Sequence, residues 1–226
     1  MRKRAAGQAV HVAVVTDGAA TGAAEADRGA ARADMVARRA QETTEACERL
    51  GVDADHLRFF DFPDGALADH AEALRTRIAQ AVAEITPSEI YVCALDDGHR
   101  DHVALARVVR ALHAEGGLGA ASLWEYPVWF WDFRSWRPDG ATNKAGFVSG
   151  VQRLRLRLRA LNAVTVDIAG LEHRKRDALA CHKSQVGALA DRDWSGLPQN
   201  FLAFFLRDKE VFFEVRSATK RAEVTG

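Results

Sequence analysis

Residues 90–102, IYVCALDDGHRDH, decide the fold, because an apolar run leads directly into a cluster of carboxylates and imidazoles. The run at 90–95 is short, continuous and partly β-branched, which predicts a strand that is covered on both faces. Open α/β sheets place their ligand sites at the carboxyl ends of such strands. His99 and His102 are therefore predicted to lie in a strand-to-helix turn, before a helix that starts near Val103.

The sequence before this stretch predicts a repeated alternation of strands and helices. Strands are predicted at 10–18 and 56–65, and helices at 33–51 and 66–85. This alternation predicts an α/β fold, specifically a Rossmann-like three-layer sandwich with a mostly parallel sheet. Because no linker interrupts the pattern, residues 1–226 are predicted to form a single domain.

The pattern changes beyond Gly119 to aromatic and basic segments. Residues 122–133 predict a strand with an aromatic face, which would line a substrate cleft or a subunit contact. The segment 134–150 is interpreted as a loop, and the strict alternation RLRLRLRAL at 153–161 predicts a strand with a basic solvent face. A helix at 170–189 and an aromatic strand around 201–215 complete the predicted fold.

The composition limits the classes of function. Lys plus Arg equals Asp plus Glu at 31 each, so no net charge favours nucleic acid or an anionic membrane. Three widely spaced cysteines indicate reduced intracellular thiols rather than a disulfide framework. The sequence contains neither a membrane-spanning apolar run nor a signal peptide. We therefore expect a cytoplasmic protein with a small polar substrate and no nucleic-acid or membrane partner.

The candidate site is the polar cluster that follows the strand at 90–95. Histidines that stand alone in the sequence are interpreted as structural, namely His11, His56, His70, His113 and His173. His99 and His102 instead lie together with Asp97 and Asp101. Imidazoles bind metal ions, and nearby carboxylates orient the imidazoles. The cluster therefore predicts a metal site.

These residues resemble the PIG-L, or LmbE-like, family of zinc-dependent N-acetylglucosamine deacetylases. DDGHRDH at 96–102 resembles the second metal motif of that family, D-G-H-P-D-H, with Arg100 in place of the proline. Two further matches are VVTDG at 14–18 and the spacing R-x-x-E-x-x-x-A-x-x-x-L-G that begins at Arg39. The carboxyl-terminal features of one bacterial branch of the family resemble three other segments, WEYPVWFW, RKRDALACHKSQ and FLRDKEVFFEV. Together these matches cover nearly the whole chain.

The resemblance implies roles for the residues of the second motif. His102 matches a metal ligand of the family. His99 matches the histidine that stabilises the tetrahedral oxyanion or protonates the leaving amine, and an imidazolium would do either. Asp101 is expected to orient an imidazole or, alternatively, to cap the following helix.

Two further residues are predicted to contact the substrate. Arg39 matches a position that contacts the sugar, although an ordinary helix ion pair with Glu42 is the alternative. Asp64, in FPDG, is expected to accept a sugar hydroxyl or to be a plain turn aspartate.

The implied function is metal-dependent hydrolysis of an N-acetyl group from an amino sugar or a related small amide, with Zn²⁺ as cofactor. The first motif of the family, A-H-P-D-D-E, supplies two more ligands and the general base, and this sequence lacks it. Catalytic zinc needs three protein ligands, and only His102 remains, so zinc binding is expected to be weak or absent. The chain is therefore expected to be truncated at its amino terminus, with the motif coded, or once coded, ahead of Met1.

Two interpretations of this truncation stay open. Either the start is assigned too late and the longer protein is the enzyme, or the chain is a non-catalytic remnant that serves as a sugar-binding or oligomerisation module. Backbone groups left unpaired beside a missing strand cost about 1–3 kcal/mol each when buried, which favours the first interpretation. Homo-oligomerisation is compatible with both.

Overall fold

The computed structural model describes residues 1–20, 30–136, 143–186, 197 and 199–216. The strands are β1 (Val12–Thr16), β2 (Leu57–Phe62), β3 (Glu89–Cys93), β4 (Ser122–Tyr126), β5 (Ala163–Asp167) and β6 (Lys209–Val215). The α-helices are α1 (Arg2–Ala5), α2 (Ala30–Arg49), α3 (Ala71–Ile85), α4 (Arg100–Ala114), α5 (Lys144–Ala160), α6 (Glu172–Leu179), α7 (Lys183–Val186) and α8 (Gln199–Leu202). This content confirms the predicted α/β class. In the described ranges, no helix is long and apolar enough to cross a bilayer.

The chain divides into two compact units, each with its own sheet. The first unit comprises Met1–Ala66 and Asp167–Glu210, and it contains the parallel pair β1–β2. The second comprises Leu67–Val166 and Val211–Gly226, and its sheet has the order β3-β4-β6-β5. Strand β4 is parallel to β3 and antiparallel to β6, so the second sheet is mixed. The assignment of one domain to the whole chain stays a prediction.

The predicted strand and helix around the candidate site are both present, but Tyr91 leaves one face of the strand exposed, and His102 lies in the first turn of α4 rather than in the turn before the helix. The last two residues of β3 are buried, and α4 buries Ala106, Val109 and Leu112. These three residues recur at intervals of three, which places them on one side of a helix that packs against α3. The helix begins at Arg100, about one turn earlier than predicted, because His99 caps it.

A buried ion pair holds α4 to β4. Glu125 is fully buried, and its two carboxylate oxygens accept hydrogen bonds from the Arg110 guanidinium at 2.6 and 2.9 Å. One of these oxygens also accepts from the backbone N–H of Leu95 at 3.2 Å. Hydrogen bonding to Glu125 raises the pKa of Arg110 despite its partial burial. The pair therefore fixes α4 beside the strand ends that precede the candidate site.

Replacing Arg110 by Met should lower the free energy of unfolding by about 3 kcal/mol, because the Glu125 carboxylate would stay buried without its counter-charge. Urea denaturation measures this loss. The double variant R110M/E125L should recover much of it, since no buried charge remains. Arg107→Met changes an exposed arginine one turn earlier in α4 and should have an effect within about 0.5 kcal/mol. Equal losses in R107M and R110M would contradict the role of the ion pair.

The aromatic segment after β4 differs from the prediction. The strand predicted at 122–133 ends at Tyr126, and Trp129–Trp131 form a turn of 3-10 helix. Pro127 has no N–H, and the next two backbone N–H groups donate to the Asp97 carboxylate at 2.9 to 3.1 Å. Because those groups are not available to a neighbouring strand, the prediction of a strand beyond Tyr126 is wrong.

The basic segment is a helix, so the strand predicted at 153–161 is wrong. The side chain of Asn143 accepts a hydrogen bond from the N–H of Gly146 at 2.8 Å and caps α5. Leu and Arg are good helix formers, so their alternation is compatible with a helix as well as with a strand. The predicted loop at 134–150 includes the first turns of α5, and its residues 137–142 lie outside the described ranges.

The helix and strand predicted for the carboxyl-terminal residues are confirmed in part. The helix predicted at 170–189 is divided into α6 and α7, and its residues 187–189 lie outside the described ranges. The final strand is present, but it begins at Lys209 because residues 199–206 form helical turns. The strand prediction for 201–208 is therefore wrong.

Candidate functional site

The candidate site is built on the carboxylate of Asp97, in the turn that follows β3. This side chain is completely buried and accepts hydrogen bonds from the N–H groups of His99 at 3.3 Å, Val128 at 2.9 Å and Trp129 at 3.0 Å. Three backbone donors stabilise a charge that burial alone would make costly. The carboxylate therefore joins the turn after β3 to the turn after β4. The sequence identifies Asp97 only as a neighbour of the histidines, because two of its donors lie far along the chain.

His102 forms an ion pair with Asp97. Its Nδ1 lies 3.3 Å from Oδ1 of Asp97, close enough for an ion pair but poorly directed for a hydrogen bond. Burial alone lowers the pKa of His102, but its interactions with Asp97 and Cys93 outweigh burial and raise the pKa to about 10. Cys93 is in turn 3.5 Å from the hydroxyl of Tyr126, whose pKa burial raises well above its ordinary value.

His99 lies beside His102, as the sequence predicts. Their ring centroids are 4.8 Å apart and the ring planes are tilted by 46°. His99 is the N-cap of α4, where its Nδ1 accepts a hydrogen bond from the N–H of Asp101 at 3.3 Å. An accepting Nδ1 carries no proton, so the ring proton is on Nε2. The cap thus favours the form of His99 that carries its proton on Nε2.

Asp101 is buried in the first turn of α4. Its Oδ1 accepts a hydrogen bond from the N–H of Leu67 at 3.2 Å, and this contact connects α4 to the short 3-10 helix at Leu67–His70. The N-cap is His99, so the cap role that was the alternative for Asp101 is not the observed one. Its proposed role in orienting an imidazole stays a prediction.

Gly98 is required at the centre of the motif because another loop approaches it closely. A Cβ atom at this position would lie 2.1 Å from Oγ and 2.7 Å from Cβ of Ser135. Ser135 is itself fixed, since its Oγ donates to the carbonyl of Trp129 at 3.0 Å and its N–H donates to the carbonyl of Asp132 at 2.9 Å. The glycine therefore allows the 3-10 turn at Phe133–Trp136 to pack on the histidine turn.

Gly98→Ala should destabilise the protein by about 2 kcal/mol, because the methyl group would displace Ser135. Thermal or urea unfolding measures the loss. Ser135→Gly removes both atoms that the methyl group meets, so adding it to G98A should recover most of the loss beyond its own effect. If the two substitutions are additive, the close approach is not the reason for the glycine.

His102 should also make the stability depend on pH. Its folded-state pKa of about 10 lies above the ordinary value of 6.5, so its contribution is fully present below about pH 6.5 and is lost as the pH rises through about 10. The free energy of unfolding should therefore decline more over this interval in the native chain than in His102→Gln. Urea denaturation at several pH values tests this. His173→Gln, which removes an exposed imidazole of α6, is the matched control and should keep the native slope.

Arg39 and Asp64 lie in the first compact unit, at the turn that follows β1. Arg39 donates to the carbonyl of Gly18, and Asp64 Oδ2 accepts from the N–H of Ala20 at 3.1 Å. The N–H of Asp64 donates to the Asp17 carboxylate at 3.1 Å. Burial lowers the pKa of Arg39, and nearby carboxylates, with Asp64 first among them, act in the opposite direction. The two predicted substrate contacts thus share one turn, and their substrate role stays a prediction.

Glu42, the alternative partner of Arg39, has a structural contact that the sequence did not reveal. It is buried, and its carboxylate accepts from the N–H of Ser184 at 2.8 Å and from its hydroxyl at 2.6 Å. Ser184 is likewise buried at the start of α7. Burial lowers the pKa of the neighbouring His182, an effect that the charge of Glu42 opposes. Glu42 therefore fastens α2 to α7 within the first unit.

The residues that the structure describes do not fit a zinc ion. Among them, no group of three or more His, Cys, Asp and Glu side chains lies close enough together to hold a metal. His102, the predicted ligand, is paired with Asp97, and a pKa of about 10 keeps it protonated at neutral pH. An imidazolium donates through both nitrogens and has no lone pair for a metal.

The fold is that of solved LmbE-like deacetylases, which match nearly the whole chain. A model of the PIG-L family, described as GlcNAc-PI de-N-acetylase, matches residues 1–113. The chain therefore belongs to the PIG-L family. No curated protein sequence matches it significantly.

Three solved structures define the fold relationship. The N,N'-diacetylchitobiose deacetylase from Pyrococcus horikoshii has a TM-score of 0.60 and 16% identity, over 95% of this chain and 75% of that one. A triple mutant of a deacetylase (Orf2*T) of the teicoplanin biosynthetic pathway has a TM-score of 0.61 and 16% identity, over 96% and 90%. GalB, the 4-carboxy-2-hydroxymuconate hydratase from Pseudomonas putida KT2440, has a TM-score of 0.51 and 20% identity, over 95% and 87%. At such low identity these similarities establish the fold alone.

Proposed function

We propose that this protein is a deacetylase that hydrolyses the N-acetyl group of an amino sugar or a related small amide. The observation that carries the proposal is the pair of imidazoles at the carboxyl end of β3, with ring centroids 4.8 Å apart, in a chain of the PIG-L family. The family model is described as a de-N-acetylase, and two proteins of the same fold are deacetylases. Because GalB of the same fold is a hydratase, the activity must be tested directly.

In this proposal His99 stabilises the transition state. The Asp101 N–H occupies Nδ1 of His99, so Nε2 carries the proton and donates to the oxyanion that develops on the acetyl carbonyl. While His102 is protonated and binds no metal ion, its charge beside this ring adds to the positive potential that favours a negative oxygen. Asp101 is buried beneath the turn and positions His99 through its backbone N–H. Arg39 and Asp64 would bind the sugar.

Zn²⁺ is the cofactor that the family resemblance implies, and His102 is the residue proposed to bind it. The described residues do not supply the remaining ligands, and His102 would have to release its proton and its contact with Asp97. The proposal therefore gives this chain an oxyanion donor, His99, and assigns the activation of water to no described residue.

A second candidate is a non-catalytic sugar-binding or oligomerisation module. The observation that favours it is the ion pair between Asp97 and His102, which uses the predicted metal ligand as a structural cation. A module of this kind would bind an amino sugar and release no acetate.

Acetate release from N-acetylglucosamine and N,N'-diacetylchitobiose, followed by proton NMR with and without added zinc, separates the two candidates. For the enzyme we expect His99→Ala to lower kcat by about a hundredfold or more, because an oxyanion donor is lost. His173→Gln removes an exposed histidine of α6 and should leave kcat unchanged. Sugar binding detected by ligand-observed NMR, in the absence of any acetate release, would instead support the binding module.

We also propose a cytoplasmic location with a small-molecule substrate as the main partner and a homo-oligomer as a compatible state. The three cysteines, Cys47, Cys93 and Cys181, are unpaired and buried, which supports a reducing compartment.

A further inference from the structure

Two histidines that are far apart in the sequence lie side by side in the first compact unit. His11 directly precedes β1 and His56 directly precedes β2, whose first paired residues are Val12 and Leu57. The centroids of the two imidazole rings are 3.9 Å apart, and the ring planes are tilted by 34°. The register of the two parallel strands therefore forms a pair from histidines that each stand alone in the sequence.

The inner nitrogens of both rings lack hydrogen-bond partners. Nδ1 of His11 and Nδ1 of His56 are buried, and neither atom has a hydrogen-bond partner among the described residues. An imidazolium carries a proton on both ring nitrogens, so each ring that becomes charged must place an N–H donor at a buried site without an acceptor. Such a donor costs free energy, because burial has removed its water. The local environment therefore favours neutral rings.

The charges around His11 act mostly against its protonation. Burial lowers the pKa of His11, and the charges of His56 and Arg58 lower it further. Asp55 acts in the opposite direction and is the weakest of these influences on the pKa. In the folded chain His11 therefore gains its proton at a pH below 6.5, the ordinary pKa of histidine.

One carboxylate lies near His56, but it already has another partner. Oδ2 of Asp53 is 3.6 Å from Nδ1 of His56, which is longer than a hydrogen bond. The same oxygen is paired with Arg4 at 2.8 Å, and the charge of that guanidinium is permanent. Asp53 can therefore compensate a charge on His56 only in part.

We propose that His11 and His56 form an acid-sensitive switch, in which protonation of both rings breaks their stack and loosens the amino ends of β1 and β2. Two positive charges at 3.9 Å repel each other, and each also has a buried N–H without an acceptor. In the described ranges β1 and β2 form a sheet of two strands, so no further paired strand holds these ends together. The same strands carry the turn with Arg39 and Asp64, and an effect on sugar binding is the one consequence that rests on the proposed function.

The pH dependence of this pair has the opposite direction to that of His102. Since the folded-state pKa of His11 lies below 6.5, the contribution of the neutral pair is complete above about pH 6.5 and is lost as the pH falls through the lowered pKa. The contribution of His102 is lost in alkaline solution instead. The first unit should therefore loosen in mild acid, where the contribution of His102 to the second unit is fully present.

Amide hydrogen exchange of the purified full chain, expressed as protection factors at about pH 7.5 and about pH 5, tests the switch. We expect the protection of β1 and β2 to fall about tenfold in acid, which corresponds to a pKa difference of about one unit between the closed and open pairs. The protection of β3 and β4 should change by less than about twofold. In H11Q or H56Q only one ring can be charged, so the fall should disappear. H173Q, which removes an exposed histidine of α6, should behave like the native chain.

Histidine titrations by NMR test the coupling between the two rings. H56Q and R58Q should each raise the pKa of His11, because each removes a group whose positive charge opposes its protonation, whereas D55N should lower it. Circular dichroism confirms that each variant is folded.

The switch would be overturned if H56Q leaves the pKa of His11 unchanged, or if the native His11 titrates above pH 6.5. Equal protection of β1 and β2 at both pH values, or an acid-dependent fall of native size in H11Q and H56Q, would overturn it as well. Neither measurement needs a substrate, so a failure of the switch is distinguishable from a failure of the deacetylase proposal.

Discussion

The hydrogen bonds to the Asp97 carboxylate are the constraint on which the candidate site depends. A buried carboxylate without partners would be ionised only at a large cost, and this one receives three backbone N–H groups and a nearby imidazolium. Two of the N–H groups come from the turn after β4. If the two strand ends separated, the Asp97 carboxylate would lose these hydrogen bonds while it was still buried. The positions of His99 and His102 follow from this arrangement, because both histidines lie within five residues of the carboxylate.

The same contacts set the cost of using His102 as a metal ligand. A pKa of about 10 means that removing the proton at pH 7 costs about three pKa units, or about 4 kcal/mol. A metal ion would have to exceed that cost through bonds to further ligands, and the described residues contain no group of three. The Asp97–His102 contact is compatible with a family of metal-dependent hydrolases, and among the described residues it is an ion pair.

The parts of the structure that the sequence predicted correctly depend on contacts between residues close together in the chain. The strand before Asp97, the helix after His99 and the adjacency of the two histidines all follow from local spacing. Two of the donors to Asp97, the N–H groups of Val128 and Trp129, and the carbonyl contact of Arg39 lie 21 to 32 residues away, so no local pattern reveals them. The strand prediction for residues 153–161 is wrong for a different reason. Alternation of Leu and Arg fits two periodicities, and the Asn143 cap that begins the helix lies ten residues before this segment.

The two compact units use the same construction after their first parallel strand. Asp17 follows β1 and accepts from the N–H of Ala19 at 3.0 Å and of Asp64, beyond β2, at 3.1 Å. Asp97 follows β3 and likewise accepts from the residue two positions later and from the loop beyond the neighbouring parallel strand.

The counter-ions of these two carboxylates differ. Asp17 is paired with Arg32, whose charge is permanent, whereas Asp97 is paired with an imidazole that titrates. Both units therefore use a carboxylate to join two strand ends. Of the two, only Asp97 is accompanied by imidazoles, which can donate or release a proton, and we therefore expect the candidate chemistry in the second unit.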